Sequence, residues 1–93
     1  PQPGEGPSKE SREQGNYEVL FFADFDEGSI EARVTGDMDP GYGSTSKMIA
    51  ESALCLIQDC EDLSGGMYTP APAMGEKLIK RLTKNAGLTF DIL

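Results

Sequence analysis

Histidine and tryptophan are absent from this sequence, and cysteine occurs only as Cys55 and Cys60. Without histidine the chain lacks the commonest general base at neutral pH and a common metal ligand. Long apolar runs are missing as well. The longest, "VLFFA" (19–23) and "ALCLI" (53–57), are far shorter than the roughly 20 residues that cross a bilayer, and no secretory signal is visible. Basic residues are scarce: 8 Lys and Arg stand against 16 Asp and Glu, a net charge of −8. A surface that acidic is a poor match for nucleic acid, whose phosphates need cations. Placed on one helix, the two cysteines point about 140° apart at 100° per residue, so they are not expected to bridge each other. Free thiols without an export signal point to a reducing cytoplasm.

The chain has 93 residues, enough for one small domain. Domains of this size bury only a modest share of their surface, roughly 60% at about 60 ordered residues. The sequence opens on Pro1-Gln2-Pro3-Gly4 rather than Met, which reads as a processed product or a piece of something longer. Residues 1–15 hold Pro, Gly, Ser and charge but no aliphatic side chain, so burial cannot offset their ordering entropy. A disordered or extended lead-in is expected there.

Residues 16–25, "NYEVLFFADF", are rich in aromatic and β-branched types and read as a strand. Tyr17, Val19, Phe21, Ala23 and Phe25 share one face. "DEGS" (26–29) is a turn, and 30–35, "IEARVT", alternate as a second strand. A four-residue loop pairs Phe25 with Ile30, Ala23 with Ala32 and Phe21 with Val34, an antiparallel hairpin with matched apolar faces. Leu20 and Phe22 point the other way. Two large apolar residues in mid-strand imply something that covers them, so both are interface candidates.

Residues 46–60 read as a helix with only a narrow polar stripe, Lys47, Glu51 and Gln58, and hence as buried on most sides. Residues 73–86 form a second helix, with Met74, Leu78, Ile79, Leu82 and Ala86 on one stripe and Lys77, Lys80, Arg81 and Lys84 outward. Gly87 suits a left-handed stop, and 88–93, "LTFDIL", alternate as a last strand. Met67, Tyr68, Met74 and Phe90 are expected in the core. The fold class is therefore α+β, in the order β-β-α-α-β, with two helices layered on a small sheet.

"DPGYGSTSK" (39–47) is the stretch with the strongest chemical content. Backbone N–H groups at a helix start, aided by the dipole, can hold an anion. The spacing does not match a P-loop, and Ser46 stands where the dinucleotide fingerprint needs its last glycine. Two readings stay open: a Pro-Gly turn capped by Ser44 or Ser46, or a loop facing substrate or cofactor, lined by Tyr42, Gly43, Ser44, Ser46 and Lys47. "DFDEG" (24–28) resembles half of a calcium loop but lacks the distal ligands, so no metal is expected. Asp37 and Asp39 are spaced as a carboxylate pair for acid–base work would be, but acids are common in loops, and ordinary loop residues are the expected reading.

The series "GDMDPGYGSTSKMIAESALCLI", "GGMYTPAPAMGEKLIKRL" and "AGLTFDI", with "PGEGPS" ahead of it, resembles the C-terminal end of saccharopine dehydrogenase-like oxidoreductases. The nearest branch is that of the trans-acting enoyl reductases. The resemblance implies a two-domain NAD- or NADP-linked enzyme, with residues 16–93 forming the C-terminal part of its second, non-Rossmann domain. It implies a partner N-terminal Rossmann domain, no cofactor bound by these residues alone, and no catalytic residue that can be placed among them. The residues themselves leave a rival open: an autonomous interaction module that uses Leu20, Phe22 and the first helix. A homodimer through the same residues fits either reading.

Overall fold

The computed structural model describes residues 2–93. Elements follow in the order α1 (Lys9–Gln14), β1 (Tyr17–Phe25), β2 (Gly28–Gly36), α2 (Gly43–Gln58), α3 (Pro70–Asn85) and β3 (Leu88–Ile92). Apart from α1 this is the expected β-β-α-α-β order. The three strands form one antiparallel sheet, β1-β2-β3.

The lead-in differs from the disordered or extended segment expected of it. Residues 9–14 are helical, with Ser8 as a side-chain cap on the Ser11 N–H at 3.1 Å. Its order comes from backbone contact rather than apolar burial: the Asp39 N–H donates to the Arg12 carbonyl at 3.0 Å. A Cβ at Gly15 would lie 2.7 Å from the Asp39 nitrogen, so glycine is what lets the two segments meet.

The hairpin pairs two residues off the expected register. Ala23 faces Ile30, Phe21 faces Ala32 and Val19 faces Val34, with Phe25 opposite Gly28. The apolar faces still match, because a slip of two keeps every side chain on its own side. The connection is Asp26-Glu27 alone, and Gly28 takes the positive φ of 153° that the tight reversal requires.

α3 packs on the face of the sheet that carries Tyr17, Val34, Gly36 and Leu88, while α2 packs mainly on α3 and reaches that face at its start, through Ser44 and Met48. Leu82, Ala86 and Leu88 are buried together, with Val34, Met48 and Leu78 against them. A second cluster, Cys55, Cys60 and Met74, joins α2 to α3. The Tyr17 ring lies over Gly36, where a Cβ would meet it at 2.2 Å. Pro70 opens α3, a position that wastes no N–H. Gly75, at φ 49° and ψ −130°, kinks the helix after its first turn. Gly87 ends the helix at φ 71°, as expected of a left-handed stop.

This core is small. Of the four residues expected in it, only Met74 is buried, while Met67 is fully exposed and Tyr68 and Phe90 are partly so. Nor is α2 buried on most sides, since Ile49, Leu56 and Ile57 face outward. The hairpin extends beyond the helices, leaving Phe21 and Phe25 exposed on one face, Leu20 and Phe22 on the other. The shape reflects this. The radius of gyration is 15.8 Å, against about 12 Å for a compact domain of this length. The accessible surface is 6902 Å², against about 5,200 Å² for a compact monomer of this mass.

Candidate functional site

The start of α2 answers the question posed by "DPGYGSTSK". A helix leaves its first N–H groups without helical partners, and here the chain supplies partners of its own. The Asp39 carboxylate accepts from the Tyr42 N–H at 2.7 Å and the Gly43 N–H at 3.0 Å. The Asp39 carbonyl accepts from the Ser44 N–H at 2.8 Å, and the Tyr42 carbonyl from the Ser46 N–H at 3.0 Å. A built-in carboxylate thus sits where an external anion would bind. The expected serine cap is not what forms. Tyr42 occupies the cap position without a side-chain bond, and Asp39, three residues earlier, does the capping. Its two backbone bonds, to Gly43 first and Tyr42 next, lower its pKa from the ordinary 3.8.

The hydroxyls are likewise engaged. Ser44 is fully buried and shares a 2.8 Å hydrogen bond with the Tyr17 hydroxyl, which ties the helix start to β1. Ser46 donates to the Gly43 carbonyl at 2.9 Å, and Thr45 donates to the Pro40 carbonyl. Of the five candidate liners, Tyr42, Gly43, Ser46 and Lys47 do border one hollow of about 480 Å³, whereas Ser44 faces the interior. Lys9, Arg12 and Glu13 of α1 and Met38 also line it. Residue order carried no sign of the α1 side chains at this site, because nothing in residues 1–15 announced a helix folded against the turn. Arg12 is held by its bond to the Pro7 carbonyl at 2.8 Å. The hollow is open and sets Lys9, Arg12 and Lys47 against Glu13, which lies 3.7 Å from Lys9, and its lining residues include no nucleophile–base pair. It can hold and orient a group but has no residues arranged to transfer a proton or hydride. Asp37 does not join Asp39 as a pair: it lies against Gly87, and Asp39 is committed to the cap.

An acid-stability prediction follows from that cap. Asp39 has a depressed folded pKa, so its contribution is present above the unfolded value and is lost as pH falls through the folded one. Asp39→Ala is therefore expected to lower the urea midpoint at pH 7 and to shrink the further loss seen below about pH 4. Circular dichroism at pH 7 and pH 3 measures both changes.

Two other clusters bear on the site. Arg81 bridges α3 to the end of α2. Its Nε and Nη2 both donate to Asp59, the latter at 3.1 Å, and Nη2 also donates to Gln58 at 2.8 Å. Its Nη1 lies 3.3 Å from Glu51. The same bonds lower the Asp59 pKa and raise that of Arg81. Here the helix expected over 46–60 ends at Gln58. Cys60 therefore lies past the helix and folds back into the cluster of Cys55 and Met74, instead of pointing away from Cys55 on one continuous helix. Both thiols are free. Burial, and then the neighbouring Cys60 thiol, push the Cys55 pKa up, the direction of an inert thiol. An apolar hollow of about 450 Å³ opens beside Cys60, Leu63, Tyr68 and Met74.

The interface candidates stand apart from these. Leu20 is 47% exposed and Phe22 67%, opposite Arg33 and Glu31 respectively. Among the described residues no group of three or more Cys, Asp or Glu could hold a metal ion, and no helix is long and apolar enough to cross a membrane.

The fold is a small α+β unit, one three-stranded antiparallel sheet with two helices, and open hollows lie beside the start of α2 and beside Cys60. Over 85 residues it is 42% identical to a Mycobacterium tuberculosis protein that carries, provisionally, the name trans-acting enoyl reductase. That match covers 88% of this chain and 20% of the relative. Proteins named trans-acting enoyl reductase from Mycobacterium ulcerans and Mycobacterium bovis are 38% and 34% identical over 84 residues, again 88% of this chain and 20% of theirs. The chain thus spans about a fifth of the length of the curated relatives it matches. No family model matches it, and no solved structure gives a significant match.

Proposed function

We propose that this chain is the C-terminal part of an NAD- or NADP-dependent, saccharopine dehydrogenase-like oxidoreductase of the trans-acting enoyl reductase kind. In that role it closes the second domain and lines the interdomain cleft with Tyr42, Ser46 and Lys47. The cofactor is held by a Rossmann domain outside these 93 residues, and the chain alone transfers no hydride. The observation that carries the reading is the similarity of 88% of the chain to one fifth of proteins named enoyl reductases. The surplus of accessible surface supports it, because a covered surface is what the exposed hairpin and α2 require. Free Cys55 and Cys60 fit a reducing cytoplasm.

The test is the reading frame that encodes Pro1. A strand, Gly-rich turn and helix encoded upstream in the same frame support the proposal. A frame that opens near Pro1 sinks it in favour of the second reading, an autonomous interaction module. Leu20 and Phe22, exposed together in mid-strand, are the observation on which that second reading stands.

A further inference from the structure

β1 is an edge strand. Its inner neighbour is β2, and among the described residues no strand lies beside its outer edge. It is nine residues long and contains no proline, so alternate N–H and C=O groups along that edge are free to pair. One face presents Val19, Phe21 and Phe25, and the other Leu20 and Phe22, all at least 42% exposed. Strand addition needs these two things, a ladder of backbone groups and side-chain surface on both sides of it.

Charge decides what kind of strand fits. On the face of Leu20 and Phe22 the strand begins with Glu18 and ends with Asp24. Asp26 and Glu27 form the hairpin's turn, and Glu31 stands opposite Phe22. Arg33 is the hairpin's one cation, and it is shared between Glu18 at 3.8 Å and Asp91 at 3.5 Å. Asp24, Asp26, Glu27 and Glu31 have no ion pair with a described residue. A second copy of the chain is a poor occupant. Antiparallel self-pairing centred on Phe21, the register that uses all nine residues, sets Glu18 against Asp24 twice. It also brings together two chains of net charge −8.

We propose that the free edge of β1 receives an extended strand that carries Lys or Arg opposite Glu18 and Asp24 and apolar or β-branched residues between them. The strand is supplied by the remaining length of the enzyme-sized protein. The inference rests on the function proposed above only for that source. The pairing chemistry stands on β1 itself.

The probe is a capped nine-residue peptide, Val-Lys-Val-Thr-Val-Thr-Val-Lys-Val, compared with the same peptide bearing Glu for Lys. Each is titrated into the 93-residue chain at 0.15 M salt while backbone amide signals are followed. The expected result is saturable shifts along residues 17–25, with the lysine peptide binding about tenfold tighter than the glutamate one. The double variant Glu18→Lys, Asp24→Lys, checked for fold by circular dichroism, is expected to reverse that order. Both substitutions lie at exposed positions, so the reversal reads charge matching rather than stability. Equal binding of the two peptides overturns the proposal, as do shifts confined to α2 and α3 or no shift along β1. A chain that is already dimeric through β1 at this salt overturns it too, and establishes the second copy as the occupant. None of these outcomes depends on whether the longer protein transfers hydride, so this inference and the proposed function fail separately.

Discussion

Leu82→Ala is expected to remove most of the stability of the isolated chain. Leu82 is 8% exposed and stands in the cluster where α3 meets the sheet, with Ala86 and Leu88 buried beside it and Val34 and Met48 against them. Truncating such a leucine costs about 2–5 kcal/mol, the lost transfer energy plus the cavity left behind. Native domains are stable by only about 5–15 kcal/mol, and a core of six buried apolar side chains among the described residues, Cys55, Cys60, Met74, Leu82, Ala86 and Leu88, places this one at the low end. The cavity cannot be filled cheaply, because Ala86, its buried neighbour, has no side chain long enough to move in. The variant is therefore expected to be largely unfolded at 25 °C in far-ultraviolet circular dichroism. Ile57→Ala is the contrast: Ile57 is 74% exposed, and its loss is expected to change the unfolding free energy by no more than about 0.5 kcal/mol. Equal effects of the two substitutions would show that the core lies elsewhere.

The second large effect depends on what surrounds the chain. Leu20→Ser with Phe22→Ser is expected to be silent in the 93-residue protein, where both side chains already face water. In a protein extended to the length of its relatives, covering those two residues stabilises by about 1–2 kcal/mol each, since roughly half of each side chain remains to be buried. The double variant should then lower the unfolding free energy of the longer protein by about 2–4 kcal/mol. Paired urea titrations of the short and long proteins measure the contrast. A loss of the same size in both would mean that the hairpin is already covered by its own helices.

Much of this fold was legible in residue order because its elements are locally consistent. Alternation fixed which side chains share each face of β1 and β2. The stripe of Met74, Leu78, Leu82 and Ala86 located α3, and Gly87 marked its end. What escaped was decided by contacts between distant segments. The hairpin register turned on whether two or four residues form the loop, and periodicity cannot separate slips of two. The cap of α2 fell to Asp39 rather than a serine, because the Pro40-Gly41 turn swings that carboxylate onto the helix start. The lead-in helix has no apolar face to announce it. Its backbone anchor, the Arg12 carbonyl meeting the Asp39 N–H, appears only when residues 12 and 39 meet in space. Cys60 joined Cys55 because α2 stopped two residues sooner than its apolar run implied. In the candidate site, Tyr42, Ser46 and Lys47 were visible as a loop ahead of a helix, but the burial of Ser44 against Tyr17 was not.

Under the proposed function, these residues close a larger enzyme and do not themselves seat a dinucleotide. "GYGSTSKM" lacks the third glycine of the dinucleotide turn, and the Asp39 carboxylate already holds the N–H groups that a pyrophosphate would need. The direct measurement is a titration of the 93-residue chain with NADH and with NADPH while the backbone amides of residues 41–48 are followed. The predicted result is no saturable shift at micromolar cofactor, with at most weak millimolar drift near Lys47 and Arg12. Saturable shifts across residues 41–48 at micromolar NADH or NADPH would contradict the claim and make the start of α2 a phosphate-binding loop in its own right.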